Sequence, residues 1–363
     1  MLSLANEHNQ PFFWGNLDVK RRKFTAASFT TLLGAGIDAR PRPRRIRIGQ
    51  IGLAHPHALG KLNAMLSLSE TYEFVGVVEP DLNLRKRAKG VTFISREELM
   101  NTKSLDAVAI ETSVKDLVKT ALPVVEAGKH VHLDKPAGPA LEPFKRLLAS
   151  ADKQGLVVQM GYMLRYNPAF EFMFKSVKEG WFGEIMEIDA MMGKQAGPDL
   201  RKKLGVFPGG GFFELACHIL DAAIYILGKP LKVRGFNLRT RAENGDHFAD
   251  NQLAVLEYAK ATATLRCNHN DPFGFPRRRF HLAGTKGGME IQPLESGKFT
   301  LNLDQDRNRF KKGSQQVQLK GGRSYQAEFA DLAKAISGEK AFSWSSQHDL
   351  AVHETLLKIC EMD

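Results

Sequence analysis

From about residue 46 onward the chain alternates short apolar runs with longer amphipathic ones. Arg47–Ile51, Tyr72–Glu79, Leu105–Ile110, His130–Asp134 and Leu156–Met160 read as short strands, the middle ones apolar at nearly every position. Between them, Lys61–Leu68, Arg96–Met100, Val114–Ala127 and Leu141–Gln154 carry helical spacing, and Gly128 stops one of the helices. Strands alternating with helices predict a parallel sheet with right-handed crossovers. After Met160 the pattern changes. Asn167–Lys178 and Phe212–Leu227 predict helices. Gly183–Met192, Leu231–Arg241, Asp250–Tyr258, Ala261–Asn268, Arg278–Ala283, Gly288–Gln292 and Phe299–Leu303 predict strands, antiparallel in the later run. Tyr325–Ser337 and Ser346–Met362 close the chain as amphipathic helices, and 193–211 reads as a Gly-, Pro- and charge-rich loop. The fold class is therefore α/β: an N-terminal doubly wound parallel sheet at 44–160, then an α+β domain at 161–363 with a large, mostly antiparallel sheet.

Composition adds bounds. The 363 residues are 43% hydrophobic and 25% charged, which is ordinary for a globular chain. Cys217, Cys267 and Cys360 are too few and too scattered for a disulfide framework or a metal-ligand pattern. The net charge of +11 is concentrated at the front: residues 1–47 hold nine Lys/Arg against three Asp/Glu. The remaining excess is spread over a large body, so nucleic acid is not an expected partner. No apolar run is long enough for a stable membrane span. Residues 1–43 stand apart from the fold. Lys20-Arg21-Arg22-Lys23-Phe24 precedes a short, mildly apolar segment and then the stiff basic linker Arg40–Arg45. This resembles a twin-arginine export signal and implies a periplasmic or secreted protein; the alternative is a basic N-terminus on a cytoplasmic one.

Three stretches carry candidate chemistry. Gly52-Leu53-Ala54-His55-Pro56-His57 joins the first strand to the first helix where a dinucleotide fold places its G-x-G-x-x-G turn, with Ala54 and His57 in two of the glycine positions. Phosphate would rest on backbone N–H groups there, and His55 and His57 could touch phosphate or nicotinamide or be plain turn residues. Two histidines one residue apart do not make a metal site by themselves. Glu79, at the end of the second strand, is placed to accept ribose hydroxyls, which favours NAD; Arg85 and Lys86 nearby leave NADP possible. Asp134-Lys135-Pro136 ends a strand at the edge where open parallel sheets hold ligands, so Lys135 is expected in the crevice. Finally, Gly209-Gly210-Gly211 opens the helix carrying Glu214, His218 and Asp221 at i, i+4 and i+7, one polar stripe on a buried-looking helix. A buried imidazole beside a carboxylate suits proton transfer; it equally suits a core histidine that hydrogen-bonds its neighbours.

Four blocks, in order, resemble the Gfo/Idh/MocA oxidoreductases: the turn at 52–57, Gly128–Pro136, Gly161–Pro168 and Gly209–Asp221. The resemblance runs from about residue 45 to the end. It implies a Rossmann-type NAD(P) domain, with Gly52, Leu53, Ala54, His55, His57, Glu79, Lys135 and Pro136 at the cofactor. It implies Lys135 and His218 as catalytic groups with Glu214 in the place of the family's Asp, and Arg165, Asn167 and Asp221 on the substrate side. The implied reaction oxidises a secondary alcohol of a sugar or polyol-like ligand, hydride passing to the nicotinamide, with no metal required. The implied assembly is a homodimer or homotetramer formed through the C-terminal sheet. Asp134 stands where the family has Glu. Two further readings share the fold: a NAD-assisted glycosidase or lyase with a non-dissociating cofactor, and a non-catalytic sugar- or cofactor-binding protein.

Overall fold

A computed structural model describes residues 44–241, 245–322 and 324–362; the export-signal segment 1–43 lies outside the described residues. Strands β1 (Ile46–Ile51), β2 (Tyr72–Val78), β3 (Ala107–Ile110), β4 (His130–Leu133) and β5 (Val158–Met160) form one parallel sheet in the order β2-β1-β3-β4-β5. Helices α1 (Ala58–Ser67), α2 (Leu82–Arg85), α3 (Arg96–Met100), α4 (Leu117–Glu126) and α5 (Leu141–Gln154) connect them. β3 is buried at all four residues, the signature of a strand covered on both faces. Next to β2 a further strand survives only as a single parallel bridge between Val77 and Phe93. Counting that bridge, the order matches the doubly wound dinucleotide fold, and it reverses direction between β1 and β3. Gly52 and Glu111, which follow those two strands, therefore stand at the switch point where such sheets bind ligands.

The local sequence explains the helix ends. Ser95 and Glu98 form a reciprocal capping box on α3. Asn167 caps α6 (Pro168–Lys178), whose first position is proline. Ser324 and Ser345 cap the closing helices α9 (Tyr325–Ile336) and α10 (Ser346–Ile359).

The second sheet holds eight strands: β6 (Ile185–Gly193), β7 (Lys232–Leu238), β8 (Asn251–Glu257), β9 (Thr262–Asn268), β10 (Arg279–Gly284), β11 (Gly287–Ile291), β12 (Lys298–Leu303) and β13 (Gly313–Gln318). Their order is β13-β12-β11-β10-β6-β9-β8-β7. All pairs are antiparallel except β6 with β9. Alternate residues, such as Ala254, Leu256, Ala263 and Leu265, are buried on the helix-covered face.

Two elements differ from the sequence expectation. The stretch 193–211 is not all loop: it contains α7 (Pro198–Leu204), anchored by Arg201 on Asp246 and Asp250 at 2.6 and 2.9 Å. β13, polar but for Val317, gives no apolar alternation and is held by its ladder to β12. The closing helices pack back on the N-terminal sheet. Phe329 and Leu332 of α9 share a core with Ile46, Ile48 and Tyr72, and the Tyr72 hydroxyl donates to the Phe329 carbonyl at 2.7 Å. A single apolar core runs from Val108 and Ile110 through to Phe280 and Leu301, so residues from Arg44 onward form one compact unit.

Candidate active site

The glycine turn is built as the dinucleotide fold requires. Gly52 has φ +94°, and a Cβ there would lie 2.7 Å from the Thr112 nitrogen and 2.8 Å from the Glu111 carbonyl. Only glycine fits that close approach between the ends of β1 and β3. The Glu79 carboxylate accepts from the backbone N–H of Leu53 at 2.7 Å and of Asp81 at 2.9 Å, fastening the end of β2 to the turn. Arg85 donates to the Glu79 carbonyl and lies over the Phe93 ring at 5.1 Å.

A cleft of about 580 Å³ is lined by Gly52, Ala54, Glu79, Arg85, Ser95 and Thr112, among others. A second, of about 480 Å³, is lined by Ala54, His55, Ser113, Lys203, Phe207 and Glu214, among others. The two share Ala54, Leu84 and Ser113. Through these shared residues they form one trough from the end of β2 to the helix that carries Glu214. The cradle at Gly52, which a Cβ would fill, and the trough beside it fit NAD.

Lys135 follows β4, and its peptide bond to Pro136 is cis. The side chain is 1% exposed. Its Nζ donates to the Glu214 carbonyl at 2.5 Å and lies 3.7 Å from the Glu214 carboxylate. The other Glu214 oxygen takes Lys194 Nζ at 3.2 Å. Burial works against the charged form of Glu214, but Lys135 and Lys194 outweigh it and hold the carboxyl well below its ordinary range. Lys194, at the end of β6, is a site residue that the sequence pattern did not single out. Only its pairing with Glu214 in the folded chain reveals it.

The helix of Glu214 departs from the expected regular stripe. Phe212–Ala216 form a π-helical turn before α8 (Cys217–Leu227) begins. The wider turn presents the Glu214 carbonyl to Lys135 and to the Cys217 thiol, which donates to it at 3.4 Å. The three glycines before it serve packing. A Cβ on Gly209 would meet Cys360, one on Gly210 the Ala249 carbonyl, and one on Gly211 the His269 ring.

His218 is 1% exposed and packs edge-on against Tyr162, ring centroids 5.9 Å apart. Asp221 turns away to Arg165, which binds it through two bonds of 3.0 and 2.6 Å and also donates to Asp349. His348 Nε2 adds a contact to Asp221 at 2.8 Å. Asn167 caps α6 and donates to the Leu294 carbonyl at 3.1 Å. Arg165, Asn167 and Asp221 are thus buried and engaged within the protein; the structure does not bring them to the trough with Glu214.

Beneath the glycine turn lies a dense ionic cluster. Lys61 is fully buried, with Nζ 3.1 Å from Asp134, 3.6 Å from Glu328 and 3.8 Å from Glu111. His132 Nε2 meets Glu328 at 2.8 Å. His55 and His57 both present Nδ1 to Asp134, at 2.9 and 3.1 Å. Burial and the neighbouring Asp134 charge push the Glu111 carboxyl well above its ordinary range.

Comparison with known proteins agrees with this geometry. Residues 46–162 match the family model described as an oxidoreductase family with an NAD-binding Rossmann fold, and residues 170–290 match the GFO/IDH/MocA C-terminal domain. The uncharacterized oxidoreductase YhhX of Escherichia coli is 29% identical over 195 residues, 53% of this chain and 54% of that protein. The scyllo-inositol 2-dehydrogenase (NAD(+)) of Bacillus subtilis is 25% identical over 210 residues, 56% of this chain and 60% of that protein. The chain thus spans little more than half the length of these two relatives. Levoglucosan dehydrogenase, solved with NADH and levoglucosan, superposes with a TM-score of 0.75 at 17% identity, covering 88% of this chain and 98% of that one. A parallel sheet with its glycine turn at the switch point, a lysine at the end of β4 and an eight-stranded second sheet coincide with both family models: the chain belongs to the Gfo/Idh/MocA oxidoreductase family and carries its NAD-binding Rossmann domain.

Proposed function

We propose that the protein oxidises a secondary alcohol of a sugar, cyclic polyol or sugar derivative. The observation that carries the reading is Lys135: a buried ammonium at the ligand edge of the sheet, held on Glu214 at the end of the cofactor trough. NAD, when bound, supplies the hydride acceptor. The chain's own residues bind and move the proton. Lys135 holds the substrate hydroxyl, Glu214 fixes Lys135 at the end of the trough, and His218 takes the hydroxyl proton as the C–H hydride leaves and a ketone forms. Such a positioned base contributes about 10² to 10⁴ in rate. A dehydrogenase named for inositol among the relatives, and one solved with an anhydrosugar among the fold neighbours, support the substrate class.

The test is a screen of sugars, polyols and glycosides with NAD or NADP, following reduced cofactor and released aglycone together. Net reduced cofactor on a polyol or sugar is the expected result. Aglycone release without net reduction would replace this reading with the glycosidase or lyase, and failure to bind any nicotinamide would leave a non-catalytic binder. Two further proposals complete the reading. The twin arginines Arg21 and Arg22 direct export to the periplasm. The chain forms a homodimer or homotetramer through the second sheet, whose β7 edge exposes Phe236 and Leu238 at 48% and 56%; light scattering on the purified protein checks this.

A further inference from the structure

His57 and Asp134 are two of the places where the sequence leaves its family's pattern, and the fold brings them face to face. His55 joins them: the three side chains offer ligand atoms all within 4.8 Å of one another. His55 Nδ1 and His57 Nδ1 lie 2.9 and 3.1 Å from the same oxygen of Asp134. Nitrogen and carboxylate donors on one divalent ion, with bonds of about 2.0–2.2 Å, stand roughly 3.3 Å apart at tetrahedral angles. The groups are therefore within tenths of an ångström of that spacing.

We propose that His55, His57 and Asp134 bind a divalent transition-metal ion of the zinc class. Two observations, each independent of the spacing, support it. First, His55 Nε2 lies 3.2 Å from the Lys135 carbonyl and Nδ1 accepts from the His57 backbone N–H at 3.3 Å, so Nε2 carries the proton and Nδ1, beside Asp134, carries the lone pair. Imidazole fixed by a backbone carbonyl on its far nitrogen is the usual posture of a metal-bound histidine. Second, Glu111 is fully buried, neither of its oxygens accepts a hydrogen bond, and one of them points into the cluster, 3.8 Å from His55 Nδ1. An ion at the triad gives that carboxylate a charge to face. The described residues hold one other grouping of this kind, Asp221, His348 and Asp349, and there Arg165 already bonds to both carboxylates.

The ion pins the turn between β1 and α1 to the end of β4. It fixes a turn that lacks two of the usual glycines, against the wall of the trough that His55 lines. His57, with 15% of its side chain exposed, leaves a way in.

The test uses the full chain without a histidine tag, stripped with chelator and titrated with Zn(II) or Co(II). The readout is metal content by mass spectrometry and the visible d–d band of cobalt, neither of which depends on turnover or on the proposed substrate. One ion per chain with a tetrahedral cobalt spectrum is expected. His57→Ala should weaken cobalt binding by more than the about 10- to 100-fold that a mere supporting contact costs. Should His57→Ala fail to fold, His57→Cys keeps a ligand and is expected to retain the ion with a new sulfur-to-cobalt charge-transfer band. Metal below one-tenth of an equivalent after reconstitution, or unchanged affinity in a folded His57→Ala, overturns the assignment and leaves an ordinary hydrogen-bonded ion network.

Discussion

Replacing Glu214 by glutamine separates the charge at the end of the trough from its shape. The carboxylate lies 3.7 Å from Lys135 Nζ and 3.2 Å from Lys194 Nζ. Lys135 is buried, so at an effective dielectric near 20 its pairing amounts to about 4 kcal/mol. Lys194 has 27% of its side chain exposed, and its contact adds about 1 kcal/mol at most. Glutamine keeps the main-chain carbonyl that accepts from Lys135, so part of the pairing survives. The expected loss of stability at neutral pH is about 3 kcal/mol, the lower end for an uncompensated buried charge. Urea unfolding with unchanged m-value measures it. The sign of the pH dependence follows from the Glu214 carboxyl, which is held below its unfolded value. Its contribution is complete above the unfolded value of about 4.3 and fades as pH falls below it. The gap between wild type and Glu214→Gln should therefore be constant from neutral pH down to about 5 and shrink in more acid solution. A loss under about 1 kcal/mol, or a gap that widens in acid, would refute the claim that this carboxylate anchors Lys135.

Three other changes test other parts of the account. Gly52→Ala forces a side chain into left-handed backbone against the Thr112 nitrogen; it should cost at least about 1–2 kcal/mol and weaken NAD binding by tenfold or more in a fluorescence titration. Arg165→Met leaves Asp221 and Asp349 facing each other without their cation, and thermal unfolding should show a loss of about 3–5 kcal/mol. That loss should be smaller at pH 5 than at pH 8, because burial already pushes Asp349 up and a proton there relieves the repulsion. The paired change Arg21→Lys and Arg22→Lys should retain the protein in the cytoplasm; unaltered location in cell fractions would remove the export reading.

The parallel half of the fold was legible because its signals are local. Apolar runs such as Ala107–Ile110 and the helix stop at Gly128 each mark an element within a few residues. β13 and α7 were not legible, because their stability comes from distant partners: a ladder to β12, and Arg201 on Asp246 and Asp250. At the site, Lys135 and Glu214 could be named from the motifs that hold them. Lys194 could not, since it lies outside any motif and meets Glu214 only through the packing of β6 against the turn before α8. The even spacing of Glu214, His218 and Asp221 misled for a related reason. A π-helical turn resets the helix before α8, and Arg165, on another element, claims Asp221. The packing role of the glycine run was not legible either, because its neighbours Cys360, Ala249 and His269 come from remote segments.

The central claim is that Lys135, held by Glu214, positions the substrate hydroxyl beside the nicotinamide while His218 takes its proton. Single-turnover reduction of NAD by the best substrate from the screen, in wild type and Lys135→Met, tests it most directly. The account predicts that the variant still binds NAD and reduces it more slowly, by about 10²-fold or more. A folded Lys135→Met that reduces NAD at the wild-type rate would contradict it.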